Sequence, residues 1–184
     1  MKDKEYAGLV SKWKKIRYKA YKELMLKEEQ AELAKELFIN GDFEYYEELK
    51  ELHKEDEEIF YNDIKEELKK NKGWRIRDMY IKLITLEKDL AEIMEFVTKN
   101  PDYIEKYAGM LVNKYEAQVM EIYEKNIMSK AGLSSKRTQY KEVCRMIMRY
   151  RKIAEKNRIE KVVNELIALY KRRPAFVDEL RKIG

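Results

Sequence analysis

The side chains best suited to catalysis are scarce in this 184-residue chain, which holds one histidine, His53, and one cysteine, Cys144. A histidine can serve as a base or a metal ligand at neutral pH. His53, however, sits in KELHKEDEE without the E-x-x-H or H-x-x-x-H spacing that would supply a companion. We expect it to be an exposed surface residue. Cys144, beside Val143 and near Ile147, reads as a small core residue rather than a nucleophile. A Ser-His-Asp arrangement and a two-histidine diiron centre both lack parts. The acids of residues 42–58 form no D-x-D-x-D-G loop, and neither G-x-x-x-x-G-K-S/T nor G-x-G-x-x-G occurs. We therefore expect no catalytic residue, no metal and no cofactor, and a protein that is not an enzyme.

Charge and tyrosine are what the chain has in abundance. Lys12, Lys14, Lys15, Arg17, Lys19 and Lys22 are mixed with Tyr6, Tyr18 and Tyr21. Cations beside aromatic rings supply the phosphate contacts and stacking of a nucleic-acid surface. The same stretch also reads as plain amphipathic packing, with Leu9, Trp13, Ile16, Ala20 and Leu24 at helical spacing and Trp13 core-like. Lys12, Lys15, Arg17 and Lys19 are the candidate anion contacts here. Arg145, Arg149 and Lys152 form a second set, at i, i+4 and i+7 on one helix face. That set is either a phosphate-facing strip or a row of ion pairs with acidic segments.

Arg172 and Arg173 complete the candidates. In LYKRRPAFVDEL they stand directly before Pro174, whose missing N–H suits the first turn of a helix. The two arginines then lie at the end of the preceding helix, where cations meet free carbonyls. We favour that structural role over ligand binding. The wider charge layout is uneven. Residues 1–22 carry eight Lys/Arg against two acids, residues 42–58 nine acids against two lysines, and residues 136–173 thirteen Lys/Arg against four acids. This asymmetry admits an anionic partner, acidic and basic segments that face one another, or a solvated surface.

The elements that must position these residues are helical throughout. Apolar side chains recur three and four apart, strand alternation is nearly absent, and Gly, Pro and Asn mark the breaks. One helical segment is expected over residues 4–39, ended by Asn40-Gly41-Asp42, and shorter helices follow up to Asn71-Lys72-Gly73. Ile76, Met79, Leu83, Leu86, Leu90, Ile93 and Val97 then form the longest seam, expected on a single helix; an exposed part of it would favour a homodimer. Pro101 and Gly132 mark later breaks, with a further boundary between Tyr115 and Met120. The expectation is all-α: about nine antiparallel amphipathic helices stacked as degenerate hairpin repeats, either a tetratricopeptide-like solenoid or an irregular bundle. Residues 1–72 and 73–184 form its two parts, as one continuous unit.

Charged residues make up 41% of the chain, far above the roughly 25% of an average globular domain. Apolar residues still reach 45%, so a packed core rather than disorder is expected. The opening residues lack the apolar stretch of a signal peptide, no window suits a membrane span, and one cysteine excludes an internal disulfide. A cytoplasmic protein without membrane contact is the expectation.

From about Trp74 onward the sequence resembles the helical C-terminal region of bacterial SWIM zinc-finger proteins. The residues that carry the likeness are NPDYIEKYAGMLVNKY, then RTQYKEV in the form R-x-x-Y-x-x-V, then YKRRPAFVDEL containing Y-x-x-R-P-A. They cover about 110 of the 184 residues. The C-x-C…C-x-H ligands of the finger itself are missing, since the chain has one cysteine and one histidine. The resemblance implies a tetratricopeptide-like interaction scaffold without metal. The expected function is a non-enzymatic module that binds another protein. The alternative is a nucleic-acid or ribonucleoprotein binder using the basic faces, including an inhibitor of a nuclease complex of the kind mobile elements carry.

Overall fold

In the computed structural model the described residues are 2–71 and 73–183, with side chains from residue 8 onward. Lys72 and the side chain of Tyr6 therefore lie outside the described residues. The fold is all-α, with ten α-helices and one 3-10 turn among the described residues. They fall into two compact units, Met1–Glu87 and Lys88–Gly184.

The first unit holds α1 (Lys2–Glu23), α2 (Lys27–Ile39), α3 (Tyr45–Leu52), α4 (Glu57–Lys70) and α5 (Trp74–Leu86). Consecutive helices pack on one another around Leu37, Phe38, Tyr46, Leu49, Ile64 and Leu83. The sequence-based break at Asn71–Gly73 falls inside this unit, because Ile64 and Leu68 of α4 share a core with Met79 and Leu83 of α5.

The second unit holds α6 (Leu90–Lys99), the 3-10 turn Pro101–Tyr103, α7 (Ile104–Leu133), α8 (Arg137–Tyr150), α9 (Lys156–Leu169) and α10 (Pro174–Arg181). Its core is rich in rings. Tyr123 and Tyr150 lie 4.9 Å apart by centroid, and Tyr140 stacks on Phe176 at 4.6 Å. Within α7, Tyr115 leaves helical dihedrals (φ −130°, ψ 38°), at the boundary expected between Tyr115 and Met120.

Two expected helices are each broken in two. Residues 4–39 form α1 and α2, separated at Met25 (φ 57°). The seam over residues 76–97 forms α5 and α6, separated at Lys88 (φ 52°). Both breaks use a left-handed residue that is not glycine, so neither carries the usual mark. At Met25 the backbone closes a Schellman turn. The Leu26 N–H donates to the Tyr21 carbonyl at 3.0 Å, and the Met25 N–H to the Lys22 carbonyl at 3.3 Å. Gly41 (φ 111°) closes the same turn after α2, this time with the residue expected. Met79, Leu83, Ile93 and Val97 are buried, so most of the broken seam is consumed inside the units.

A left-handed Met25 costs about 1 kcal/mol relative to glycine. Met25→Gly should therefore raise the denaturant midpoint of the first unit by a stabilisation of about that size. An unchanged or lowered midpoint would mean that the methionine side chain repays its own strain.

Candidate interaction surface

The inward face of α1 is aromatic and cationic. Tyr18 is 5% exposed and packs edge-on against Tyr45, with centroids 4.9 Å apart. Its hydroxyl donates to Glu48 Oε2 at 2.9 Å and accepts from Gln30 Nε2 at 3.0 Å. Around it, Lys22 pairs with Glu48 at 2.7 Å, Lys15 with Asp42 at 3.0 Å and Glu44 at 3.4 Å, and Lys14 with Glu36 at 2.5 Å. The basic N-terminal segment and the acidic segment thus face each other. Lys15, one of the candidate anion contacts, is spent on Asp42 and Glu44.

The arrangement of tyrosine, glutamate and cation recurs. Tyr46 donates to Glu87 at 3.0 Å, and Lys50 meets the same carboxylate at 3.0 Å. Tyr150 donates to Glu124 at 2.6 Å, and Arg158 meets that carboxylate at 3.0 Å. Each buried ring thereby satisfies its hydroxyl at the edge of the core without leaving a bare carboxylate. Burial first, reinforced by the Glu48 carboxylate, pushes the Tyr18 hydroxyl up to about 12. Tyr46 and Tyr150 are raised for the same two reasons. The Lys22 ammonium, followed by the Tyr18 hydroxyl, holds Glu48 below its ordinary value.

With that face inward, the aliphatic stripe points out. Leu9, Val10, Trp13 (63% exposed), Ile16 and Leu24 line the outer side of α1, with Ala20 exposed among them. This reverses the expectation that the stripe is buried and Trp13 part of the core. Met25 (83% exposed) and Leu26 continue the apolar surface around the turn. Half of the described exposed large apolar side chains fall in residues 9–26; the others, such as Ile59, Trp74, Leu133 and Leu169, are spread along the chain. Lys12, Arg17 and Lys19 are exposed beside the stripe and form no ion pair among the described residues. Three of the four N-terminal candidates are thus exposed along the two borders of the stripe, Lys12 and Lys19 on one side and Arg17 on the other.

The C-terminal candidates are not brought together. Arg145 pairs with Glu142 at 2.7 Å, and Arg149 pairs with Glu105 and, at 3.4 Å, with Glu142. Lys152 lies beyond the end of α8 and so leaves the face it was expected to share. Arg172 is exposed. Arg173 does meet helix-end carbonyls, though not those of its own helix. Its guanidinium donates to the Ser134 carbonyl at 2.8 Å and to that of Ala131, both at the C-terminal end of α7, and lies over the Tyr170 ring at 4.5 Å. Gln139 caps the start of α8, its side-chain oxygen accepting the Ser135 and Lys136 N–H groups.

His53 is half-buried rather than exposed, stacked on Phe60 with centroids 4.6 Å apart at the end of α3. Cys144 is buried as expected, and burial pushes its thiol up to about 11. Among the described residues no three His, Cys, Asp or Glu side chains are grouped to hold a metal, and no helix is long and apolar enough to cross a membrane. A groove of about 540 Å³ between α7 and α8 is lined by Asp102, Glu105, Lys130, Leu133, Glu142 and Met146. Its acids are already neutralised by Lys130, Arg145 and Arg149, which leaves few polar groups to orient a ligand. No family model, curated protein or solved structure matches this chain. The likeness to the SWIM-protein helical region therefore rests on the residues quoted above.

Two outcomes follow from this geometry. Tyr18 has an ordinary value of 10.0 and is raised in the fold, so the stability from keeping it neutral is fully present below pH 10.0. That stability is lost as pH rises toward about 12. An alkaline titration should show late tyrosinate absorbance appearing together with loss of helical circular dichroism; tyrosines that all ionise before any helix is lost would contradict it. Separately, Arg173→Ala should cost about 1–2 kcal/mol in denaturant unfolding, because it uncaps α7. A Lys at the same position should restore only part of that, since it cannot reach both carbonyls and stack on the ring.

Proposed function

We propose that the chain is a non-enzymatic helical scaffold that binds another protein. The observation that carries this reading is the concentration of solvent-facing apolar side chains on α1 and its closing turn, in a chain otherwise dense in charge. Exposed apolar area gathered in one place is characteristic of contact surfaces, whereas single exposed apolar residues are ordinary. The chemistry of the remaining groups agrees with it. The thiol is buried, the histidine is stacked, and the carboxylates lining the groove are ion-paired. The resemblance of the later helices to an interaction scaffold supports the same reading, and the single cysteine suits a cytoplasmic setting.

A second reading, a nucleic-acid or ribonucleoprotein partner, including the nuclease complex named above, is favoured by one observation: Lys12, Arg17 and Lys19 are exposed along the borders of the stripe without ion pairs among the described residues. The aliphatic side chains between them offer nothing to phosphates, and among the described side chains Trp13 is the one ring on that face for a base to stack on.

Capture with the tagged full chain, with and without nuclease treatment, separates the two. A protein that remains bound after nuclease supports the scaffold. Binding that disappears with nuclease, and that weakens steeply with salt, transfers the assignment to nucleic acid.

A further inference from the structure

We propose that the outer face of α1 docks an amphipathic helix whose apolar seam is bordered by acidic side chains. This deepens the protein-binding reading and rests on it. Three properties of the face point to such an occupant.

The first is shape. Leu9, Trp13, Ile16, Ala20 and Leu24 follow one another at intervals of four, three, four and four residues, the spacing of a helix–helix seam. Ala20 is a small residue with large neighbours one turn to either side along that seam. It forms a hollow in which a side chain of a facing helix can sit, and it allows the two backbones to approach closely.

The second is extent. The exposed parts of Leu9, Val10, Trp13, Ile16, Leu24 and Met25 amount to roughly 700 Å² of accessible surface, near one partner's share of a standard interface. The left-handed backbone at Met25 extends the patch. It turns a flexible thioether side chain into solvent where glycine would close the same turn with less strain.

The third is charge. By helical periodicity Lys12 and Lys19 border one side of the seam and Arg17 the other, while Lys14, Lys15 and Lys22 point inward to Glu36, Asp42 and Glu48. Glu23 is the only acid between Gly8 and Leu24. A second copy of α1 would set this cationic rim against itself, so charge disfavours self-pairing. An anionic bilayer would match the rim but has no use for the hollow at Ala20. A facing helix with Glu or Asp on both borders matches the seam, the hollow and the rim together.

The test uses a displayed library of single helices with a Leu/Ile seam and border positions varied among Glu, Gln and Lys, selected against the full chain. Glu should be enriched at both borders. The best Glu-bordered helix should bind roughly tenfold tighter than its Gln-bordered counterpart, with the advantage shrinking in salt. Trp13→Glu and Ile16→Glu sit on exposed positions and should abolish binding while helical content and melting are retained. Met25→Gly should weaken binding several-fold in a chain at least as stable as the parent, which separates lost contact from lost fold.

Enrichment of Gln or Lys, or helices that bind Trp13→Glu as well as the parent, would overturn the proposal. So would a dimer in sedimentation that Trp13→Glu dissociates, or partition onto phosphatidylglycerol vesicles with no helix selected. If Trp13→Glu still retains the protein captured by the parent chain, the docking surface lies elsewhere and the scaffold reading stands. If neither a helix nor a protein is bound, both readings fall.

Discussion

The hydroxyl of Tyr18 determines which way α1 faces. Buried against Tyr45 and held by Glu48 and Gln30, it draws the side of the helix bearing Lys14, Lys15 and Lys22 onto the acids of α2, α3 and the loop between them. A helix with a polar-aromatic face and an aliphatic face can bury only one of them against a given neighbour. Most elements bury the aliphatic one, because removing apolar area from water is the larger gain. Here the neighbour is acidic at its edge, and the tyrosine brings apolar ring area and a hydrogen-bonding tip together. The aliphatic stripe is left outside as a consequence.

The same solution appears at Tyr46 with Glu87 and at Tyr150 with Glu124. A chain with 41% charged residues must place many of them close to its core edges. Tyrosine makes that workable: the ring fills core volume while its hydroxyl anchors a carboxylate that a lysine or arginine then neutralises. Individually, the exposed ion pairs contribute little. Their collective effect is to engage many of the cations that composition alone would offer to a nucleic acid, as Arg145 and Arg149 illustrate.

The breaks at Met25 and Lys88 set the scale of the units. Without them, residues 4–39 and 76–97 would run as long rods. With them, α1 turns back onto α2, and the chain is divided between Glu87 and Lys88. One of the two breaks had a readable sign: Asp89 accepts the Glu92 N–H, and an acid followed three residues later by Glu is a helix-start signature. The break at Met25 had none, since Leu24, Met25 and Leu26 all suit a continuing helix. The acidic residues that meet α1 were visible as a run of charge, yet nothing in the run says which face of α1 they will meet.

The sequence by itself determined the all-α class, the breaks marked by Gly41 and Pro101, and the burial of Cys144. These follow from local spacing, backbone preference and residue inventory, which act within a few residues. Only the tertiary structure decided that Trp13 faces outward, that Arg173 caps the end of α7 rather than its own helix, and that His53 stacks on Phe60. Each of those outcomes is a competition between surfaces that meet only after the helices pack. The pattern within one turn says nothing of partners tens of residues away, such as Glu48 for Tyr18 and Ser134 for Arg173.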